Sequence, residues 1–331
     1  MRRLLTVAGL TLAVLLSSLS AAAAAVAPAT PPGAARPEYV ALGDSYASGV
    51  GTGSYLDDEG GCQRSSYAYP ALLARARGYA LRFRACSGAT IAHVRGSQLG
   101  ALSARTRYVS LSVGGNDAGF AQVLTTCATP WWLADCDPAV DRARAVVRDL
   151  LPGRLRALYA EVRDRAPRAK VVVVGYPRIF MGTDCDLGTW FTRAEQQRLN
   201  QTADLLNART ARAARAAGFA FAHPGRSFRG HAVCDDPAWL NGLSIPVGES
   251  YHPNRAGHAE GLLPLVRPLL RGAGPAARPG ASGRSSRPAP AVRTAGTRAA
   301  PFRRPDLRSP RAERAAEGHG IDIEAWWQRH P

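Results

Sequence analysis

Lysine is all but missing from this chain: of 42 basic residues, Lys170 is the one that is not arginine. The formal net charge of +17 would otherwise suggest a nucleic-acid partner. The arginines, however, are scattered along helical stretches opposite alanine and leucine, and no aromatic-plus-basic module such as an RNP sequence accompanies them. A nucleic-acid partner is therefore not expected, and the basic surface is left as a means of approaching anionic lipid or polymer. Also missing is any apolar run after the first 27 residues long enough to span a bilayer. No Cys-x-x-Cys spacing occurs and the histidines do not cluster beside the cysteines, which argues against a zinc site. No internal repeat is visible. Repeats, later membrane spans and metal scaffolds are thus not expected.

What the chain does have is enough apolar content for a proper core, 46% of 331 residues. Its beginning is not part of that core. A basic Met1-Arg2-Arg3, an apolar run from Leu4 to Leu16 and small residues from Ser17 to Ala27 read as a secretory signal peptide over residues 1–27. A Pro/Ala linker over 28–37 follows. Export makes six cysteines an even set suited to three disulfides, and six allow 15 pairings that sequence alone does not choose between.

From residue 38 to 271 short apolar runs alternate with amphipathic stretches. Strands are expected at 39–42, 79–85, 108–113, 171–175 and 219–222, being β-branched or aromatic and bounded by glycine. Helices are expected at 66–77, 140–165, 192–217 and 253–270, the third opened by a Thr192/Glu195 capping box. Such alternation implies an α/β fold with a parallel sheet covered on both faces. After residue 272 the composition turns to proline, arginine, glycine, alanine and serine, so 272–331 is expected to be a disordered basic tail. Its end, Ile321 to Trp327, is oddly apolar and fits either a docking element or an unselected extension.

Four short signals carry the chemistry. Gly43-Asp44-Ser45 follows the first strand; then come Cys86-Ser87-Gly88-Ala89, Gly114-Gly115-Asn116-Asp117 and Tyr251-His252-Pro253-Asn254. Each alone is ordinary turn chemistry. Together, in order, they supply the parts of acyl transfer: a nucleophile, amide donors for an oxyanion and a general base. Ligands in α/β sheets bind outside the carboxyl ends of the strands, where Ser45, Gly88 and Asn116 would all lie. The Gly-x-Ser-x-Gly elbow is absent, which argues against the common α/β-hydrolase layout. His223 is the strongest competitor of His252, because it also ends a strand, whereas His258 falls inside the last helix and reads as structural. Trp131-Trp132 and Phe180-Met181 fit an acyl pocket and loop packing about equally.

These four segments resemble the four sequence blocks of the SGNH (GDSL-type) hydrolases, and more narrowly the secreted actinobacterial lipases and esterases of that family. The resemblance covers roughly Glu38 to Leu270. It implies a three-layer α/β/α sandwich with a central parallel sheet of flavodoxin-like topology, no cofactor and no metal. It further implies Ser45 as nucleophile, His252 as base, an oxyanion hole from the Ser45 amide, Gly88 and Asn116, and disulfides Cys62–Cys86, Cys127–Cys136 and Cys185–Cys234. Many members place an aspartate three residues before the histidine; here Glu249 stands there, and its carboxylate is expected to orient His252, with a main-chain carbonyl of the same turn as the alternative. The expected function is a secreted, extracellular, monomeric serine esterase or lipase acting on a small-molecule or lipid ester, with peripheral contact to lipid surfaces. A phospholipase or a polysaccharide-deacetylating esterase of the same mechanism is the alternative, and a non-catalytic surface-binding protein the rival of another class.

Overall fold

The structure, a computed structural model, describes residues 35–57, 60–275 and 298–330. The signal-peptide reading of residues 1–27 lies outside them, as does most of the 28–37 linker. Five strands form one parallel sheet: β1 (Glu38–Gly43), β2 (Ala80–Phe83), β3 (Tyr108–Ser112), β4 (Lys170–Val174) and β5 (Ala220–Ala222). Their order is β2-β1-β3-β4-β5, and every pairing is parallel. The three central strands are buried almost throughout, which is why they read as continuous apolar runs rather than alternating ones.

Alternate residues of those strands enter two separate cores. Tyr39, Ala41, Tyr108, Val172 and Val174 face one cluster, while Val40, Leu42, Val109, Leu111, Val171 and Val173 face the other. The period of two along a strand thus builds a layer on each side of the sheet. The helices, in chain order, are α1 (Ser45–Ser48), α2 (Tyr69–Arg77), α3 (Ile91–His93), α4 (Phe120–Cys127), α5 (Cys136–Ala145), α6 (Leu151–Arg165), α7 (Arg193–Ala216), α8 (Leu263–Val266), α9 (Pro310–Gly318) and α10 (Ile323–Arg329). Tyr69 and Leu73 of α2 join the first core together with Leu262, Val266 and Leu270. Leu155, Leu158, Tyr159 and Val162 of α6 fill the second. The expected capping box opens α7: Thr192 accepts from the Glu195 amide, and the Glu195 carboxylate accepts from Thr192 N–H at 2.7 Å.

Three disulfides join Cys62 to Cys86, Cys127 to Cys136 and Cys185 to Cys234.

The expected disordered tail over 272–331 needs correction. Residues 276–297 and 331 lie outside the described residues, but 298–330 fold against the domain. The reason is a sparse set of large apolar residues that composition averages away. Leu307, Ala312, Ala316 and Trp326 are buried together with Trp132 in a third cluster, and Phe302 joins the first core.

Candidate active site

The strand order 2-1-3-4-5 reverses direction between β1 and β3, and in such sheets the crevice opens at the carboxyl ends of those two strands. Gly43 ends β1 with φ near +129°, and a Cβ there would collide with the Ser112 carbonyl. Asp44 then caps α1, its carboxylate accepting from Tyr46 N–H at 3.1 Å, and Ser45 is the first helical residue. Amides at that position have no acceptor within the helix.

His252 arrives from a loop near the other end of the sequence and puts Nε2 2.8 Å from Ser45 Oγ. Its Nδ1 lies 2.9 Å from the Ser250 carbonyl. A carbonyl only accepts, so Nδ1 carries the proton and Nε2 is left to accept from the serine hydroxyl. The ring is partly open to the cleft, yet burial among its neighbours lowers its pKa to about 4, against its hydrogen bonds to the Ser250 and Glu249 main chain, which raise it. The imidazole is therefore neutral at neutral pH, the state a general base needs. Tyr251, immediately before it, takes a left-handed φ of 62°. Two main-chain bonds hold that turn, Tyr251 N–H to Asn241 O at 3.0 Å and Asn241 N–H to His252 O at 2.9 Å. Tyr46, next to the serine, donates its hydroxyl to Tyr251 O at 2.6 Å and so ties the Ser45 and His252 loops together.

The expectation for Glu249 is corrected at this point. The Ser250 carbonyl occupies the place at Nδ1, and the Glu249 side chain is hydrogen-bonded to Tyr55 instead. Burial and that bond to Glu249 push the Tyr55 phenol well up.

Gly88 stands in the loop after β2 with φ of 74°, and Asn116 in the loop after β3. Asn116 Nδ2 donates to Ala89 O at 3.1 Å, which leaves one amide hydrogen for the cleft. Asp117 accepts from Ile91 N–H at 2.9 Å and fastens the Asn116 loop to the Gly88 loop. Ser45, Gly88, Asn116 and His252 all line one cavity of about 690 Å³. Phe120, Leu124, Ile179, Leu206 and Phe302 give it an apolar stretch of wall, beside the polar Gln63, Ser87 and Arg298. Trp131, Trp132, Phe180 and Met181 are not among its lining residues: Trp132 is buried against Trp326, and Phe180 packs on Tyr251 and Phe191 behind the wall. His223 is also elsewhere, accepting from Gly225 N–H at 3.0 Å.

Three supporting residues escape the sequence reading. Gln98 exchanges two hydrogen bonds with the main chain of Gly43, at 2.8 and 2.9 Å. Asn207 does the same to Tyr176, at 2.9 and 2.7 Å. Tyr176 in turn donates its hydroxyl to the Asp44 carboxylate and accepts from Gly115 N–H at 3.3 Å. Burial raises the Asp44 pKa to about 7, against those hydrogen bonds. Nothing in the local sequence marks Gln98 or Asn207, since each acts on a residue 31 or more positions away.

Similarity to known proteins identifies the family. The model of the GDSL-like lipase/acylhydrolase family matches residues 41–260, more than half of the chain. Lipase 1 of Streptomyces coelicolor is 43% identical over 269 residues, which are 80% of this chain and 98% of that protein. The crystal structure of an extracellular lipase from Streptomyces rimosus has 41% identity and a TM-score of 0.66, covering 70% of this chain and 99% of its own. That of phospholipase A1 from Streptomyces albidoflavus NA297 has 44% identity and a TM-score of 0.66, with 71% and 100% covered. This chain belongs to the GDSL-like lipase/acylhydrolase family and is a carboxylic ester hydrolase.

Proposed function

We propose that the chain is a secreted lipase or esterase that cleaves carboxylic esters through an acyl-enzyme formed on Ser45. The observation that carries this reading is the 2.8 Å Ser45 Oγ–His252 Nε2 contact at the edge of a cavity with an apolar stretch of wall. Ser45 Oγ attacks the ester carbonyl as its proton passes to Nε2. The resulting oxyanion is held by the Ser45 amide, the Gly88 amide and the Asn116 side chain. Each such donor is worth on the order of 10²–10³ in kcat. The imidazolium then returns its proton to the departing alcohol, and water activated by the same nitrogen releases the acid.

The apolar stretch of Phe120, Leu124 and Leu206 suits a fatty acyl chain, for which an acetyl group on a polysaccharide has no use. Relatives named as lipases and as a phospholipase A1 support a lipid ester as the substrate. A net charge of +17 suits peripheral contact with an anionic lipid surface. No second chain is needed to complete the site, so a monomer suffices. A fluorophosphonate probe should label the wild type and neither Ser45→Ala nor a sample pre-treated with an acylating ester inhibitor. Labelling of Ser45→Ala at the wild-type rate would rule out the assignment.

A further inference from the structure

The cleft is not completed by the sheet and its flanking helices. Residues 298–302 cross it as a strap, and all five line the cavity. On one side Ala299 N–H donates to Gly88 O at 2.8 Å. The Ala299 carbonyl lies so close that a Cβ on Gly88 would stand 2.7 Å from it. Arg298 donates to Gly61 O at 3.0 Å and rests on Cys86 Sγ at 3.4 Å. On the opposite side Phe302 is buried, its ring meeting that of Tyr251 edge-on at 4.9 Å between centroids. Arg303 N–H then bonds Thr125 Oγ1 of α4 at 3.0 Å.

The path of the strap has a chemical meaning. A bound ester must put its carbonyl oxygen near Gly88 and its alcohol oxygen near His252. A segment that runs from the Gly88 loop to the Tyr251 side passes over the space in which the substituents of a large ester would lie. Beyond the strap, α9 and α10 fasten it to a separate apolar cluster: Trp326 packs on Trp132 and Trp190, with Leu307 beneath. That anchor is distinct from the two cores that hold the sheet. The family model matches residues 41–260, so strap and anchor lie outside the matched stretch.

We propose that residues 298–302 are a built-in substrate gate. While docked, the strap admits esters that fit the remaining cavity and excludes two-chain glycerolipids, which reach Ser45 once it lifts. The inference rests on the hydrolase reading above, but the two fail separately, because hydrolysis of a small ester tests the machinery and the ratio of large to small tests the gate.

The experiment uses the full-length chain carrying Leu307→Asp and Trp326→Ala, which disrupt the anchor without touching the cavity. Hydrogen exchange at the Ala299 amide reports release of the strap, since that hydrogen is bonded to Gly88 O in the docked state. The released enzyme is expected to hydrolyse nitrophenyl acetate within about 2-fold of wild type and dioleoylphosphatidylcholine in mixed micelles at least about 10-fold faster, a change in specificity rather than in chemistry. A second release variant, Trp190→Ala, attacks the same anchor from the domain side and should act alike. Unprotected Ala299 with an unchanged ratio of the two activities would overturn the gate. So would a parallel loss of both, which would make the strap an ordinary part of the fold.

Discussion

At the level of single residues, the unusual partner is the one His252 leans on. A main-chain carbonyl orients the ring, so no side-chain substitution can delete that acceptor. In a serine-protease triad, replacing the carboxylate by its amide costs on the order of 10⁴ in kcat. Here Glu249→Gln should cost about 10-fold or less, because Glu249 engages Tyr55 rather than the imidazole. Steady-state rates on a soluble ester check this, and a loss near the protease figure would restore the carboxylate to the machinery. The same ring sets the pH response. With its pKa lowered to about 4, kcat/KM should keep its value well below the usual histidine range and fall only as pH approaches 4. Stability follows the same sign. The folded pKa of His252 lies below the unfolded value, as does that of buried His258 at about 3, so the unfolded chain binds more protons between pH 6.5 and these values. Their contribution is complete above pH 6.5 and is lost as pH falls from there, which thermal melts over that range would show.

At the level of elements, the site is held by amide side chains reaching out of helices. Asn200 and Asn207 lie seven residues apart on α7 and clamp the main chain of Phe180 and Tyr176. Gly175 is glycine because Asn207 Oδ1 fills the place of its Cβ. Asn207→Ala removes two buried hydrogen bonds and strands the Tyr176 amide and carbonyl, so it should destabilise by about 2–4 kcal/mol, at roughly 1–2 kcal/mol for each group. A chemical denaturation midpoint close to wild type would contradict this.

These clamps also explain what was and was not legible in the sequence. The central strands were readable because burial on both faces leaves them continuously apolar, and Ser45, Gly88, Asn116 and His252 because each sits in a glycine- or proline-marked turn beside an element end. Gln98 and Asn207 were not, since a long-range amide looks like any polar helical residue. The helix at Phe120–Cys127 escaped because it follows a turn with no side-chain cap. The docked tail was misread for a different reason. Apolar residues five or so apart in an arginine-rich background carry no periodic signal, and their partners, Trp132 and Trp190, lie more than 100 residues away.

At the level of the whole molecule, two of the three covalent cross-links join buried core positions to the segments that shape the cavity. Cys86 precedes the Gly88 turn by two residues and is tied to Cys62, whose carbonyl accepts from Ser87 N–H at 3.0 Å. Cys127 and Cys136 join the end of α4, which supplies cavity wall, to the start of α5. Each bridge typically contributes about 2–4 kcal/mol. Reduction with dithiothreitol under non-denaturing conditions should therefore lower activity before the sheet melts, which paired rate and far-UV circular dichroism measurements would resolve; coincident loss of both would show the bridges to be general staples.

The bridge from Cys62 to Cys86 has a bearing on the cell that makes the protein. The lipid-ester hydrolysis proposed above would be a hazard to the membranes of the producing cell. If the Gly88 turn takes its shape only after Cys62 and Cys86 have been oxidised, the newly made chain is latent in a reducing cytosol and armed outside it. The open thiol pair then acts as a safety catch, released when the same passage across the membrane that carries the enzyme toward its substrate lets the bridge form.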